Sequence, residues 1–474
     1  MTLEYKNEES ENILEYYSNT IVIHSKNLSE ECTEEEDIST LSNAISCLQN
    51  GINPLRSCQI ISNTLQKENQ ANFNQYLFDT GIIRYILPFI NKNTDIELLE
   101  YAMNIIYILL TIDQPSDSPL QNETFLQDLI SILSLQNQIQ LKLTALDIIY
   151  NLLHDENIYV NVFNVLKKID FLKILQEYDF FNPNYAIGSM EQNEIYNPLF
   201  YSSSFISDFS QMYQTDELIC LAEFIPILSQ ALINDAYRPI YREYCADALS
   251  NILKNFNTHP TALRSEVPEN CVKSLSLYHE GPFSEIFECI YNLLINDKNN
   301  INDSEGVHKF FEPTFIRQCT HLLESYKSNT TIMHILKFLD FYLPKYFPLI
   351  DTSNFTQILS DIALDKGSCK FFQLRITSSL VLIRCIPFAD DKYFNLLFQE
   401  GFFNFVFNSI NSYDKDDTIF IIHNFLKMFE RKNEMKEKFL SDNDFQEMLN
   451  DLASSDDEDI AQLPHLFYNS EVNS

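Results

Sequence analysis

Seven glycines in a chain of 474 residues exclude most architectures. An all-β protein of this length needs many tight turns, and several turn types call for Gly. A doubly wound α/β enzyme needs glycine-rich phosphate loops. Neither can be assembled from so few. Three of the seven also share one setting. In "QNGINPL" (from Gln49), "DTGIIRYILPFI" (from Asp79) and "QEGFFNFVFNSI" (from Gln399), Gly follows a short helical pattern and precedes an apolar one. A left-handed residue at that point ends the first helix.

The segments between the glycines are helical by their spacing. Leu98, Ala102, Ile105 and Leu109 fall on one stripe, as do Leu141, Ala145, Ile148 and Leu152. Cys245, Leu249, Ile252 and Phe256 repeat the pattern. Steps of three and four residues mark helices with one buried face. Ala102, Ala145 and Ala248 predict close approach by a neighbouring helix. The order short helix, Gly, apolar helix, polar turn, apolar helix returns at about 40 residues, which predicts stacked helical repeats. A length that suggests roughly three domains then fits one elongated solenoid.

The formal charge is −35, from 32 Lys and Arg against 67 Asp and Glu. Such a surface repels phosphate backbones and anionic lipid, so neither nucleic acid nor membrane is an expected partner. Basic proteins or peptides are. The 10 Cys include no C-x-x-C, which predicts reduced, buried thiols. The acidic start has no apolar signal region and no apolar run is long enough to span a bilayer, so a cytoplasmic or nuclear location is expected.

Signs of catalysis are missing from the sequence. The two nearest glycines, Gly281 and Gly306, stand too far apart for G-x-G-x-x-G or a P-loop. No G-x-S-x-G or H-E-x-x-H occurs. His154, His334 and His423 sit on helical segments, where an ordinary packed or surface imidazole is the default. We expect no enzyme, no cofactor and no metal site.

"FNQYLFDTGIIRYILPFINKNTDIELLEYAMNIIYILL" (Phe73 to Leu110) resembles an armadillo repeat. "CADALSNILKNFNTHP" (Cys245 to Pro260) is most similar to the third helix and exit loop of a central importin-α repeat. The armadillo resemblance covers roughly residues 38 to 450. It implies an all-α, right-handed superhelical solenoid that binds an extended peptide along a concave groove lined by third helices. Importin-α offers there a Trp and, four residues later, an Asn that grips the peptide backbone. Carried over, the Asn positions are Asn151, Asn251, Asn292 and Asn424. The Trp positions hold Asp147, Asp247, Glu288 and, for the last, Phe420. Acids thus replace aromatic walls, which predicts salt-sensitive capture of Lys or Arg by charge-assisted bonds.

The expected organisation is an acidic mobile start (1–37), a repeat domain (38–452) and an acidic tail (453–474). Residues 179–216 lack periodicity and read as an insertion. The primary functional expectation is a non-catalytic module whose acidic groove holds a Lys/Arg-rich segment. One alternative is a diverged nuclear-import adaptor. Against it, residues 1–37 contain only Lys6 and Lys26 as basic residues, so coupling to importin-β through a basic arm is not expected. The other alternative is a scaffold that docks partners through 179–216.

Overall fold

The computed structural model describes residues 34–65, 77–111, 114–182, 197–235, 237–277, 282–299, 310, 312–325, 328–346, 352–366, 371–388, 390–399 and 401–469. Most of the acidic start and the centre of 179–216 therefore lie outside the described residues. Those described are helical, with no strand among them. The chain divides into two compact units, Met1–Phe171 and Leu172–Ser474.

The first unit contains α1 (Glu34–Gln49), α2 (Pro54–Leu65), α3 (Ile83–Ile86), α4 (Ile96–Leu109), α5 (Glu123–Ser131), α6 (Ile139–His154) and α7 (Tyr159–Lys168). Helix α4 packs between α2 and α6. Two neighbours bury more than one stripe, so Leu99, Met103 and Ile106 are as inaccessible as Ala102 and Ile105. Ala102 and Ala145 are both fully buried, as their small size predicts. Gly51, Gly81 and Gly401 all take the left-handed conformation, with φ of 69°, 66° and 77°. The polar turns end in helix caps: Asp95 accepts from the Glu97 N–H at 3.1 Å and opens α4.

Helix α8 (Phe171–Glu177) starts at the last residue of the first unit, and the second unit continues with α9 (Pro198–Met212), α10 (Ile225–Ala231), α11 (Pro239–Ile252), α12 (His259–Arg264), α13 (Val267–Leu277) and α14 (Phe283–Asn299). Then come α15 (Pro313–Ser325), α16 (Asn329–Tyr346), α17 (Thr352–Ala363), α18 (Phe372–Cys385), α19 (Asp391–Gln399) and α20 (Phe402–Asn408). Last are α21 (Lys415–Arg431), α22 (Asn433–Leu440), α23 (Asn443–Ala453) and α24 (Glu458–Asn469).

These helices form two layers. The long ones, α9, α11, α14, α16, α18, α21 and α24, stand in a row, each against the next. A second row, α10, α13, α15, α17, α20 and α23, packs alongside in the same order. Hydrogen bonds that join successive long helices span a narrow range of sequence. They run from 36 residues (Gln211 to Asp247) to 47 (Ser284 and Thr331). In the first unit the bond from Gln59 on α2 to Tyr101 on α4 spans 42. These separations lie near 40 residues in both units.

Three expectations change. Within 179–216, residues 198–212 are not inserted filler but the long helix α9, buried almost throughout. Its periodicity is carried by serine. Ser203, Ser207 and Ser210 recur at helical steps and face α11, where they meet Cys245, Asp247 and Asn251. Because hydroxyls replace aliphatic groups on that stripe, a search for apolar spacing passes over it.

The acidic tail is described through Asn469, and it carries a helix. Helix α24 buries Leu463 and Phe467, and the Phe467 ring lies 5.7 Å from that of Phe429 on α21. Its acids sit at the helix start, where they suit the dipole. Asp457 accepts from the Asp459 N–H, and Lys415 pairs with Asp457 at 2.8 Å and Asp459 at 2.6 Å. Finally, Phe256 is 56% exposed rather than buried with Leu249 and Ile252. Helix α11 ends at Ile252, and Asn255 starts a separate turn that swings Phe256 outward. No described helix is long and apolar enough to cross a membrane.

Candidate functional site

The three acid–amide pairs lie on α6, α11 and α14, and Asn424 lies on α21. In the first unit, Asn151 turns back on its own helix. Its Nδ2 donates to the Asp147 carbonyl at 2.8 Å and to Asp147 Oδ1 at 3.4 Å. Asn424 does the same, donating to the Phe420 carbonyl at 2.8 Å while buried. Both amides satisfy the backbone one turn earlier.

The other two pairs meet, because α11 and α14 are neighbours. Asp247 accepts from Ser207 Oγ at 2.5 Å and from Gln211 Nε2 at 2.6 Å, both on α9. Asn251 is only 7% exposed. Its Nδ2 donates to Ser210 Oγ at 3.3 Å, and its Oδ1 accepts from Lys254 Nζ at 2.6 Å. The same ammonium lies 3.5 Å from Glu288 Oε1. Asn292 Nδ2 donates to the Ser250 carbonyl at 3.0 Å.

The last bond explains what the amides do here. Carbonyls in the final turn of a helix lack intrahelical partners. Asn292 supplies one to Ser250, and Asn296 supplies another to Leu253 at 2.7 Å. Asn255, just past α11, holds the turn that follows α9, donating to the Thr215 carbonyl at 2.7 Å. Helix α14 thus caps the end of α11. The sequence reading did not single out Asn255 or Asn296. Their signal was the second amide one turn after the first, in Asn251/Asn255 and Asn292/Asn296.

With the amides engaged, charge is what the face can offer. Glu285 on α14 has its carboxyl pushed up to about 7, first by burial and further by Glu243, Asp247 and Glu288. Its own backbone N–H opposes the rise. The three other acids on neighbouring turns of the two helices thus repel the charged form of Glu285. Beside them, His334 on α16 is held below its ordinary value by burial, against the pull of Glu288.

A second cluster was missed altogether. Asp340 on α16 accepts from Arg384 Nε on α18 at 2.5 Å. The Arg384 guanidinium lies 4.1 Å from the centre of the Phe420 ring on α21. One side chain thus ties three successive long helices, and Phe420 takes a cation from within the chain. Burial holds Asp340 above its ordinary value despite Arg384, and Asp417 is raised by burial and by the acids around it. The signal was an acid and an arginine 44 residues apart, one repeat length.

No family model matches the sequence, and no curated protein matches it. Solved structures do. One is a crystal structure of an engineered protein from the Northeast Structural Genomics Consortium, similar over 90% of this chain and 98% of its own. The TM-score is 0.54 at 11% identity. The likeness is one of helical fold alone.

Proposed function

We propose that the chain is an armadillo-type right-handed solenoid and a non-catalytic protein-binding module. Its acidic face on α11 and α14 receives an extended, Lys/Arg-rich segment of a protein partner. The observation that carries this reading is the placement of four acids, Glu243, Asp247, Glu285 and Glu288, on neighbouring turns of α11 and α14, where burial and, after it, the other three charges raise the Glu285 carboxyl. A cationic partner relieves that repulsion, and each ammonium or guanidinium gains charge-assisted bonds. Support for the solenoid is the repeat-length spacing of bonds between successive long helices in both units.

The test is fluorescence anisotropy with a labelled nona-arginine peptide at low and physiological salt. Binding should weaken steeply with salt and fall at least tenfold in an Asp247→Asn, Glu285→Gln, Glu288→Gln variant of unchanged helicity. Equal affinity in that variant would remove the α11–α14 face as the site. Within 179–216, α9 itself is buried among its neighbours, so a scaffold role through this segment would fall to residues outside the helix.

A further inference from the structure

A face built to take cations already holds one. Lys254 follows the end of α11 and reaches diagonally to α14, placing its ammonium between Asn251 Oδ1 (2.6 Å) and Glu288 Oε1 (3.5 Å). These are the amide of one expected rung and the acid of the next. We propose that Lys254 is a built-in occupant of the acidic face, an autoinhibitory contact that a basic side chain of the partner displaces on binding. The inference rests on the function proposed above.

The manner of holding separates Lys254 from Arg384. Arg384 bonds Asp340 at 2.5 Å, stacks on Phe420 and is less than a third exposed, so three helices lose a tie if it leaves. Lys254 sits at the end of a flexible stem with its side chain 44% exposed, and Glu288 is 34% exposed. An ion pair this open is worth little and is screened by salt. An incoming ammonium or guanidinium replaces it charge for charge. Release of Lys254 leaves the Asn251 bond to Ser210 in place, so the helix packing beneath survives the exchange. The face is thus closed to weak or neutral segments and opened by a competing cation.

Two measurements test the proposal with nona-arginine, which carries no lysine. In the first, acetylation of Lys254 by an N-hydroxysuccinimide ester is followed by mass spectrometry. Its rate should rise severalfold when the peptide saturates the protein. In the second, Lys254→Met should bind the peptide about two- to fivefold more tightly than wild type, the range an open ion pair spans. Lys92→Met, an exposed lysine of the first unit, has the same charge change and should gain less.

If wild type binds but Lys254 becomes no more reactive, or the two variants gain equally, the built-in occupant is overturned while the binding face stands. If neither wild type nor Lys254→Met binds, the binding face falls and the occupant with it. Binding by Lys254→Met alone would support both.

Discussion

Replacing Glu285 by Gln should remove a pH-dependent weakness of the second unit. The carboxyl ordinarily titrates at 4.5 and in the folded chain at about 7. Below the lower value both folded and unfolded states are protonated, and the group makes no difference. Between the two values the unfolded chain gives up the proton while the folded chain keeps it. The folded state then binds more protons, so stability falls as pH rises through this window and levels off above it. At about 1.4 kcal/mol per pKa unit, the loss between pH 5 and pH 8 comes to roughly 2.5 kcal/mol. Glu285→Gln keeps the shape and cannot ionise. Urea unfolding, followed by helicity at both pH values, should show the variant close to wild type at pH 5. At pH 8 it should exceed wild type by about 2 kcal/mol or more. Comparing the two proteins at each pH cancels the titration of the other carboxylates. Parallel pH profiles would mean that Glu285 is not held in the protonated form, and neither its burial nor the repulsion from the three acids around it would have the inferred effect.

Peptide binding should strengthen from pH 6 to pH 8, because a cation favours the ionised Glu285; a flat anisotropy profile would contradict this. Asn296→Ala strips the Leu253 carbonyl of its partner in a buried position. It should lower stability by about 1–3 kcal/mol, read as a shift in the urea midpoint. Ending the chain at Ala453 removes α24 and with it buried Leu463 and Phe467. The loss should be roughly 3–6 kcal/mol, whereas a dispensable tail would leave the thermal transition unmoved. Gly401→Ala meets no atom within 4 Å at the new Cβ but must adopt φ of 77°. Its cost, about 1–2 kcal/mol, is therefore one of backbone conformation, measurable by thermal unfolding.

Much of the helix order was legible because aliphatic spacing and glycine placement report directly on local structure. Gly51, Gly81 and Gly401 mark left-handed turns, since other residues enter that region at a cost. Helix α9 was illegible for a physical reason: its contact stripe is serine, and small hydroxyls bury well only when the facing helix supplies partners such as Asp247 and Asn251. Nothing local announces that partner 40 residues later. Helix α24 was hidden by its acids, which as composition suggest a solvated tail and as position cap a helix start. At the candidate site, the spacing of Asp247 and Asn251 correctly placed both on one face. It could not tell whether that face meets solvent or another helix. The same limit concealed Asp340 and Arg384, which are unremarkable apart and bonded only once α16 and α18 lie side by side.

The narrow sequence span of the helix-joining bonds, 36 to 47 residues in the second unit, has a consequence during synthesis. A ribosome adds on the order of 5–20 residues per second. Helix α11 therefore waits roughly two to eight seconds for α14, whose amides cap its open end. During that wait the carbonyls of Ser250 and Leu253 and the serine stripe of α9 face water, which can bond them. An aliphatic stripe in the same place would face water with nothing to gain from it. Polar contacts between repeats thus suit a chain that is assembled one helix at a time, with each new surface exposed before its cover exists.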